Sequence, residues 1–202
     1  MKLRLALLAA LAAVVLSACV SMSRPPAGAA PSGAMRAWPV RRAELQSLQS
    51  FDLHGRVAVS SGDEGFSARL RWNQAAGRSE IALDGPLGVG GVRITSDGEQ
   101  LTVINSKGET LDRDAAQAEM HARLGFEPPI AQLRYWMLGV PAPGGEPHET
   151  VDPEGRLLVL EQDGWHVDYS DYRVALAESV PARVTLTRGP LRVRLIVDGW
   201  DR

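Results

Sequence analysis

The sequence predicts a mainly β protein with short helices, built on an antiparallel sheet curved strongly enough to enclose an apolar interior as a barrel or partial barrel. Three observations predict it. Apolar and polar residues alternate in segment after segment, turns rich in Ser, Asp and Gly separate those segments, and only two stretches in the middle change to a helical period. Helices with one apolar face must bury it, and in a strand protein the concave side of the sheet is the surface available. The two helices are therefore expected as a lid or plug.

The elements follow in chain order. Met1-Lys2-Leu3-Arg4 is a basic start, residues 5–15 are an unbroken run of Leu, Ala and Val, and Leu16-Ser17-Ala18-Cys19 comes next. As a helix that run spans about 17 Å at ~1.5 Å per residue, too short for a bilayer core of ~30 Å. Residues 1–18 read as a secretory signal peptide. Leu16-Ser17-Ala18-Cys19 resembles a bacterial lipobox, whose cysteine thiol receives a diacylglyceryl group. Cys19 is the sole cysteine of 202 residues, which excludes a disulfide framework, a cysteine-ligated metal and a thiol nucleophile elsewhere. Lipidation is the use that remains. By resemblance to sorting in such lipoproteins, Val20 in the second mature position points to the outer membrane. Loss of residues 1–18 takes Lys2 and Arg4 from the 22 basic residues against 24 acidic ones, leaving a net charge of −4. Nucleic acid is therefore not an expected partner, and anchoring falls to acyl chains.

Residues 19–37 are expected as a lipidated tether of Ser, Pro, Ala and Gly with no packable face, and 38–202 as the folded domain. Eighteen tether residues at ~5–6 Å × √n have a root-mean-square span of roughly 23 Å, so the domain works close to the leaflet that holds it. Trp38-Pro39 opens a short amphipathic helix whose Leu45 and Leu48 face the core. Phe51, Leu53, Gly55, Val57 and Val59 then alternate with polar or small residues. Phe66, Ala68, Leu70 and Trp72 do the same after a turn at Ser60-Ser61-Gly62-Asp63, which makes a hairpin. Ile81 and Leu83 continue the pattern, residues 92–94 and 101–104 extend the meander, and Asp97-Gly98 marks a turn. Between them, Pro86, Leu87 and Gly88 put a bulky apolar side chain on a turn, where a polar residue is usual. Such a leucine either folds back onto the core or stands out to meet an apolar phase.

From Asp112 or Asp114 as N-cap, Ala116, Met120 and Leu124 recur every four residues until Gly125 stops the helix. Pro128-Pro129 starts another, with Ile130, Leu133, Trp136 and Met137 on one face and Gly139 and Pro141 closing it. Strands return at 157–161, 165–169, 182–187 and 191–197, for nine to eleven in all.

The usual signatures of chemistry are missing. Gly88, Gly90 and Gly91 begin a dinucleotide fingerprint, but Arg93 replaces its third glycine and the residues that follow alternate. There is no Gly-x-Ser-x-Gly elbow, P-loop or His-Glu-x-x-His sequence. His166 and Asp168 share a strand face, as half of a metal site or a base–orienter pair would, and as a solvated strand face also does. No enzymatic activity, cofactor or metal is expected. The five tryptophans are spread along the chain as core or ligand-wall residues.

Several stretches, in order, resemble the outer-membrane lipoprotein receptor family (LolB). They are the lipobox at Cys19; Phe51-Asp52-Leu53-His54-Gly55-Arg56-Val57-Ala58-Val59; Gly85-Pro86-Leu87-Gly88; Leu133-Arg134-Tyr135-Trp136-Met137-Leu138-Gly139-Val140-Pro141; Gly164-Trp165-His166-Val167-Asp168-Tyr169; and Val193-Arg194-Leu195-Ile196-Val197-Asp198-Gly199-Trp200. The sequence departs from the family pattern at Gly90-Gly91 and at Pro143-Gly144-Gly145-Glu146-Pro147. The resemblance implies an unclosed antiparallel β-barrel with a helical lid over a hydrophobic cavity. It further implies a monomer, lipid-anchored on the periplasmic face of the outer membrane, that takes acylated lipoproteins from a soluble periplasmic carrier of the LolA type and inserts them into the inner leaflet. Cavity candidates are Phe51, Leu53, Phe66, Leu70, Trp72, Leu133, Trp136, Met137 and Trp165. Leu87, with Pro86 and Gly88, matches the family's protruding membrane-insertion loop. A structural lipoprotein that only scaffolds the envelope is the alternative, and its interior would be filled by side chains. The soluble carrier itself is a third reading, against which Cys19 argues.

Overall fold

The computed structural model describes residues 34–85, 91–176 and 178–201, with side chains omitted at 34–36, 123 and 124. Cys19, the signal and most of the tether lie outside these residues, as do Pro86, Leu87 and Gly88. Helix α1 (Ala34–Ser47) leads into β1 (Ser50–Ser61), β2 (Glu64–Ala75), β3 (Arg78–Asp84), β4 (Val92–Ser96), β5 (Leu101–Ile104) and β6 (Thr110–Asp112). Helices α2 (Asp114–Leu124) and α3 (Ile130–Trp136) follow. The chain then returns through β7 (His148–Val151), β8 (Leu157–Gln162), β9 (Trp165–Ala175), β10 (Glu178–Arg188) and β11 (Leu191–Asp201).

These eleven strands form one antiparallel sheet in the order β6-β5-β4-β3-β2-β1-β11-β10-β9-β8-β7. Two meanders are thus zipped together along β1 and β11, and β6 and β7 remain as the two edges of an unclosed barrel. Period two decides which face is inside. In β1, Phe51, Leu53, Val57 and Val59 are buried while Asp52, His54, Arg56 and Ala58 are exposed. In β11, Leu191, Val193, Leu195 and Val197 are buried while Arg192 and Arg194 are exposed. The β1–β11 register shifts at His54/Gly55. A side chain at Gly55 would collide with the carbonyl of Ile196, so the bulge requires glycine there.

Helix α1 starts at Ala34, inside the stretch expected as tether, and carries Pro39 within it. Proline there removes one helical hydrogen bond, and contacts with the sheet hold the helix in its place. Trp38 Nε1 donates to Glu149 Oε2 at 2.7 Å, Arg42 to Glu149 Oε1 at 2.6 Å, and Gln46 Nε2 to the Pro141 carbonyl at 2.8 Å. Arg41 pairs with Glu178 at 3.1 Å, and Leu45 is 2% exposed in the core.

The expected cap of α2 is corrected. Asp112 ends β6, accepting a hydrogen bond from Thr102 Oγ1 at 2.7 Å, and Asp114 is the first helical residue. Arg113 sits at the cap position with φ 51° and no side-chain cap bond. Gly125 closes the helix in the left-handed conformation, φ 77°, its N–H bonded to the His121 carbonyl. Strands β6 and β7 were not anticipated, because three or four residues at a polar edge are too few for a period to register.

Candidate apolar binding cavity

The concave side of the sheet does not fill itself. Val57, Val59, Phe66, Leu70, Trp72, Ile81, Leu83 and Ile94 on β1–β4, with Trp165, Leu186, Val193 and Leu195 on β9–β11, form the wall of a cavity. Its cover is a single chain segment carrying Phe126, Pro128, Pro129, Ile130, Leu133 and Met137. Every lining side chain is apolar, so a water inside would lack the two to four polar partners it needs. The free space is about 80 Å³, and counting the crevices between lining side chains and the open mouth raises this to about 690 Å³. A water-sized group takes ~30 Å³, so the smaller figure admits two or three methylenes. The larger figure takes in open solvent at the mouth.

Of the expected wall residues, Phe66, Leu70, Trp72, Leu133, Met137 and Trp165 are brought together around this space. Phe51, Leu53 and Trp136 are not among them. They are 1%, 2% and 0% exposed and are consumed by packing. Phe51 meets the rings of Trp72 and Trp200 at 6.0 and 5.3 Å, and Trp136 packs against Trp165 at 6.2 Å while its indole N–H is hydrogen-bonded. Wall positions such as Val57, Val59, Val193 and Leu195 carry the same alternation as Phe51, so the period shows the inner face without separating wall from core. Phe126 was missed for another reason: it follows the glycine stop of α2, outside any periodic segment. Its only signal is an aromatic residue in a turn.

The cover is held unevenly. Two polar side chains pin α3. Arg134 donates to the Ala76 and Leu48 carbonyls, each at 3.2 Å, tying α3 to the β2–β3 turn and to the end of α1. Gln162, on β8 and 4% exposed, makes four hydrogen bonds. Its Oε1 accepts from Trp136 Nε1 and the Ala142 N–H, both at 2.9 Å. Its Nε2 donates to the carbonyls of Ala142 and Gly144 at 2.9 and 3.1 Å. Among the described residues, the stretch from Gly125 to Pro129 shows no comparable hydrogen bond to the sheet. Gln117 Nε2 bonds Glu127 at 2.9 Å within the cover itself, and Phe126 leans on Trp165 at 5.9 Å.

No titratable side chain is among the described lining residues, and Arg188 reaches the wall only from outside, over the Trp165 ring at 5.7 Å. Burial holds the Tyr169 hydroxyl well above the usual phenol range, with nearby Tyr172 adding to the effect. Burial likewise raises Tyr172, whose hydroxyl donates to the Leu157 carbonyl at 2.6 Å. For Asp152, burial acts upward but loses to the Arg156 N–H, the Arg156 guanidinium and the Glu154 N–H, so the carboxyl sits below its ordinary range. His166 lies 3.3 Å from Asp168 and 3.5 Å from Glu161, with all three side chains substantially exposed, which is a solvated strand face.

An apolar, covered cavity in an unclosed sheet can take up hydrocarbon and has no group to react with it. The family model described as "Outer membrane lipoprotein LolB" matches residues 49–200. The chain belongs to the LolB family. Proteins named outer-membrane lipoprotein LolB include one from Nitrosococcus oceani, 33% identical over 189 residues that cover 93% of this chain and 92% of the relative. Another, from Azoarcus sp. strain BH72, is 33% identical and covers 98% and 95%, and one from Pseudomonas aeruginosa is 31% identical and covers 100% and 97%. Among solved structures, a DUF1329 family protein from Desulfovibrio piger matches with a TM-score of 0.58 at 11% identity, covering 84% of this chain and 92% of that one. A LolA superfamily protein from Nitrosomonas europaea matches at 0.53 and 13%, covering 82% and 92%. These two likenesses carry the fold.

Proposed function

We propose that this LolB-family chain is a receptor, anchored by acylated Cys19 to the outer membrane, that accepts lipoproteins from a LolA-type periplasmic carrier and inserts their acyl chains into the inner leaflet. The observation that carries the reading is the dry cavity under residues 126–137, walled by apolar side chains alone. Burial of an acyl chain is favourable by ~0.8 kcal/mol per methylene, so release of an acylated protein into water is strongly opposed. Passage from one apolar cavity to another avoids that exposure. No covalent step is needed. With α3 pinned by Arg134 and Gln162, and α2 packed on β5 and β6 with Ala116 and Met120 buried, the stretch 125–129 between them is the part of the cover that gives way to admit a chain. Delivery is assigned to the turn bearing Pro86, Leu87 and Gly88, with Leu87 entering the bilayer.

The test is photo-crosslinking from Leu70 or Leu133 to the acyl chains of cargo supplied as the carrier–cargo complex. Crosslinks to the acyl group are expected at both positions and not at exposed Arg192. Equal labelling at all three, or none at the wall, would favour a structural lipoprotein and refute the receptor reading.

A further inference from the structure

Near the first residues of β1 the outer face of the sheet is mixed in charge: Asp52 stands opposite Asp201 on β11 and opposite Asn73 on β2, which in turn neighbours Glu80 on β3, while exposed Arg71, Arg78 and Arg93 lie among them and Arg78 bonds Glu80 at 2.8 Å. Toward the other end of the same face, arginine takes over. Arg192 and Arg194 project from β11, and Arg56 faces Arg69 across the β1–β2 pair. Like charges directly opposite one another weaken a strand pair. Only part of this group is neutralised: Arg56 by Asp198 at 2.9 Å, and Arg183, one strand further on, by Asp171 at 2.9 Å. Arg69, Arg192 and Arg194 have no ion pair among the described residues.

The ground between these arginines is flat. Arg194 lies between Ala58 and Thr185, with Ser67 beyond Ala58, and Arg192 lies between Ser60 and Thr187. At ~4.8 Å between strands and ~3.4 Å per residue, the three free guanidinium groups rise from a patch about 17 Å along its longest line, from Arg69 to Arg192. It holds small and hydroxylic side chains together with Arg56 and the half-buried Ile196, and no exposed aromatic one. A protein partner is ordinarily held by a buried aromatic or aliphatic anchor in a pocket, which this surface does not provide. Guanidinium forks over a flat bed suit phosphate oxygens.

We propose that the Arg69, Arg192 and Arg194 face docks on the anionic phospholipid headgroups of the membrane that carries the anchor. The inference rests on the anchored receptor reading, because a tether from residue 20 to the start of α1 at Ala34, spanning roughly 21 Å, keeps the body at an effective concentration near the leaflet where weak charge attraction suffices. Asp63 and Glu64 at the β1–β2 tip bound the arginine group on one side, one row beyond Arg192. The arginine flank adjoins the end of β3 at Asp84, where the segment bearing Leu87 leaves the sheet, so docking of the flank is compatible with entry of Leu87 into the bilayer. Val57, Val59, Val193 and Leu195 of the cavity wall are on the inner side of that same flank, so docking brings the cavity down beside the leaflet.

The test uses the full acylated chain in vesicles of phosphatidylcholine, with or without phosphatidylglycerol, bearing a nitroxide on a fraction of the headgroups. A fluorophore on Ser170→Cys, beside Arg183 and two strands from Arg194, is the sole thiol label because Cys19 is acylated. Flotation reports the anchor and headgroup quenching reports docking. Flotation is expected with both vesicle types, with stronger quenching on phosphatidylglycerol that disappears in about 1 M salt, where the screening length is ~3 Å. Each basic residue near an anionic surface strengthens attachment about fivefold, so Arg192→Gln with Arg194→Gln should lower the docked-to-undocked ratio about thirtyfold. The double lysine variant should retain most of it, and an unchanged melting temperature shows that both variants fold. Quenching that ignores lipid charge or survives the double Gln substitution overturns the docking proposal while flotation leaves the anchor intact. Charge dependence that appears only when an acidic protein is added overturns it as well. Flotation with phosphatidylglycerol vesicles alone overturns the anchor and supports docking.

Discussion

Gln162→Leu is the most direct probe of what holds the cavity's cover. Leucine keeps the side chain's approximate volume and removes its amide, so the packing of β8 is little altered while four hydrogen bonds disappear. Gly144 is exposed and its carbonyl can turn to water, but Trp136 is 0% and Ala142 4% exposed. The Trp136 indole N–H and the N–H and C=O of Ala142 are then stranded. At ~1–3 kcal/mol for each buried group left unsatisfied, the loss is roughly 3–9 kcal/mol. That is a large part of the ~5–15 kcal/mol that stabilises a typical domain. In urea, with a slope of ~2 kcal/mol/M, the unfolding midpoint should fall by about 1.5 M or more. Trp136→Phe supplies the second arm of a cycle. Once Gln162 is leucine, removing the indole N–H relieves one stranded donor, so the double substitution should cost at least about 1 kcal/mol less than the two single costs together. A loss under about 1 kcal/mol for Gln162→Leu, or simple additivity with Trp136→Phe, would refute the view that this amide pins α3.

Leu133→Glu places a carboxylate on the cover's inner surface. It should weaken binding of a fluorescent apolar probe about thirtyfold, the equivalent of two or three methylene contacts at ~0.8 kcal/mol each, and unchanged affinity would take Leu133 off the binding surface. Leu87→Glu should leave folding and acyl crosslinking intact while cutting insertion of cargo into vesicles at least tenfold, because a charge opposes entry into the apolar layer; a variant that unfolds would make Leu87 a core residue. Asp152 contributes to stability through its depressed folded-state pKa. Its share is present above the unfolded value of ~3.9 and is lost as pH falls through the lower folded value. Asp152→Asn should therefore flatten the acid limb of a stability–pH curve below about pH 4, and an unchanged limb in thermal melts across that range would show the turn to be indifferent to this carboxyl.

Much of this protein is legible in its sequence because the relevant physics is local. Alternation at Phe51 to Val59 and at Leu191 to Val197 determines which strand faces turn inward, since a pleated backbone sends successive side chains to opposite sides. Gly125 and Pro128-Pro129 punctuate the helices for equally local reasons. The order of quoted motifs identifies the family. What the sequence does not carry is the difference between a core side chain and a cavity wall. Phe51 and Val57 occupy the same inner face of β1, and only the arrival of Trp200 from the far end of the chain fills the space over one and leaves it open over the other. The fastening of the cover is equally non-local: Gln162 reaches Trp136 across 26 residues, and Arg134 reaches Ala76 across 58 and Leu48 across 86. No periodicity records such pairs, because they exist only once the sheet has curled and brought α3 over it. The same holds for the arginine flank, whose members come from strands far apart in sequence and become neighbours through the β1–β11 pairing alone. Sequence determined the faces, and tertiary structure decided which of them is a wall, a fastening or a docking surface.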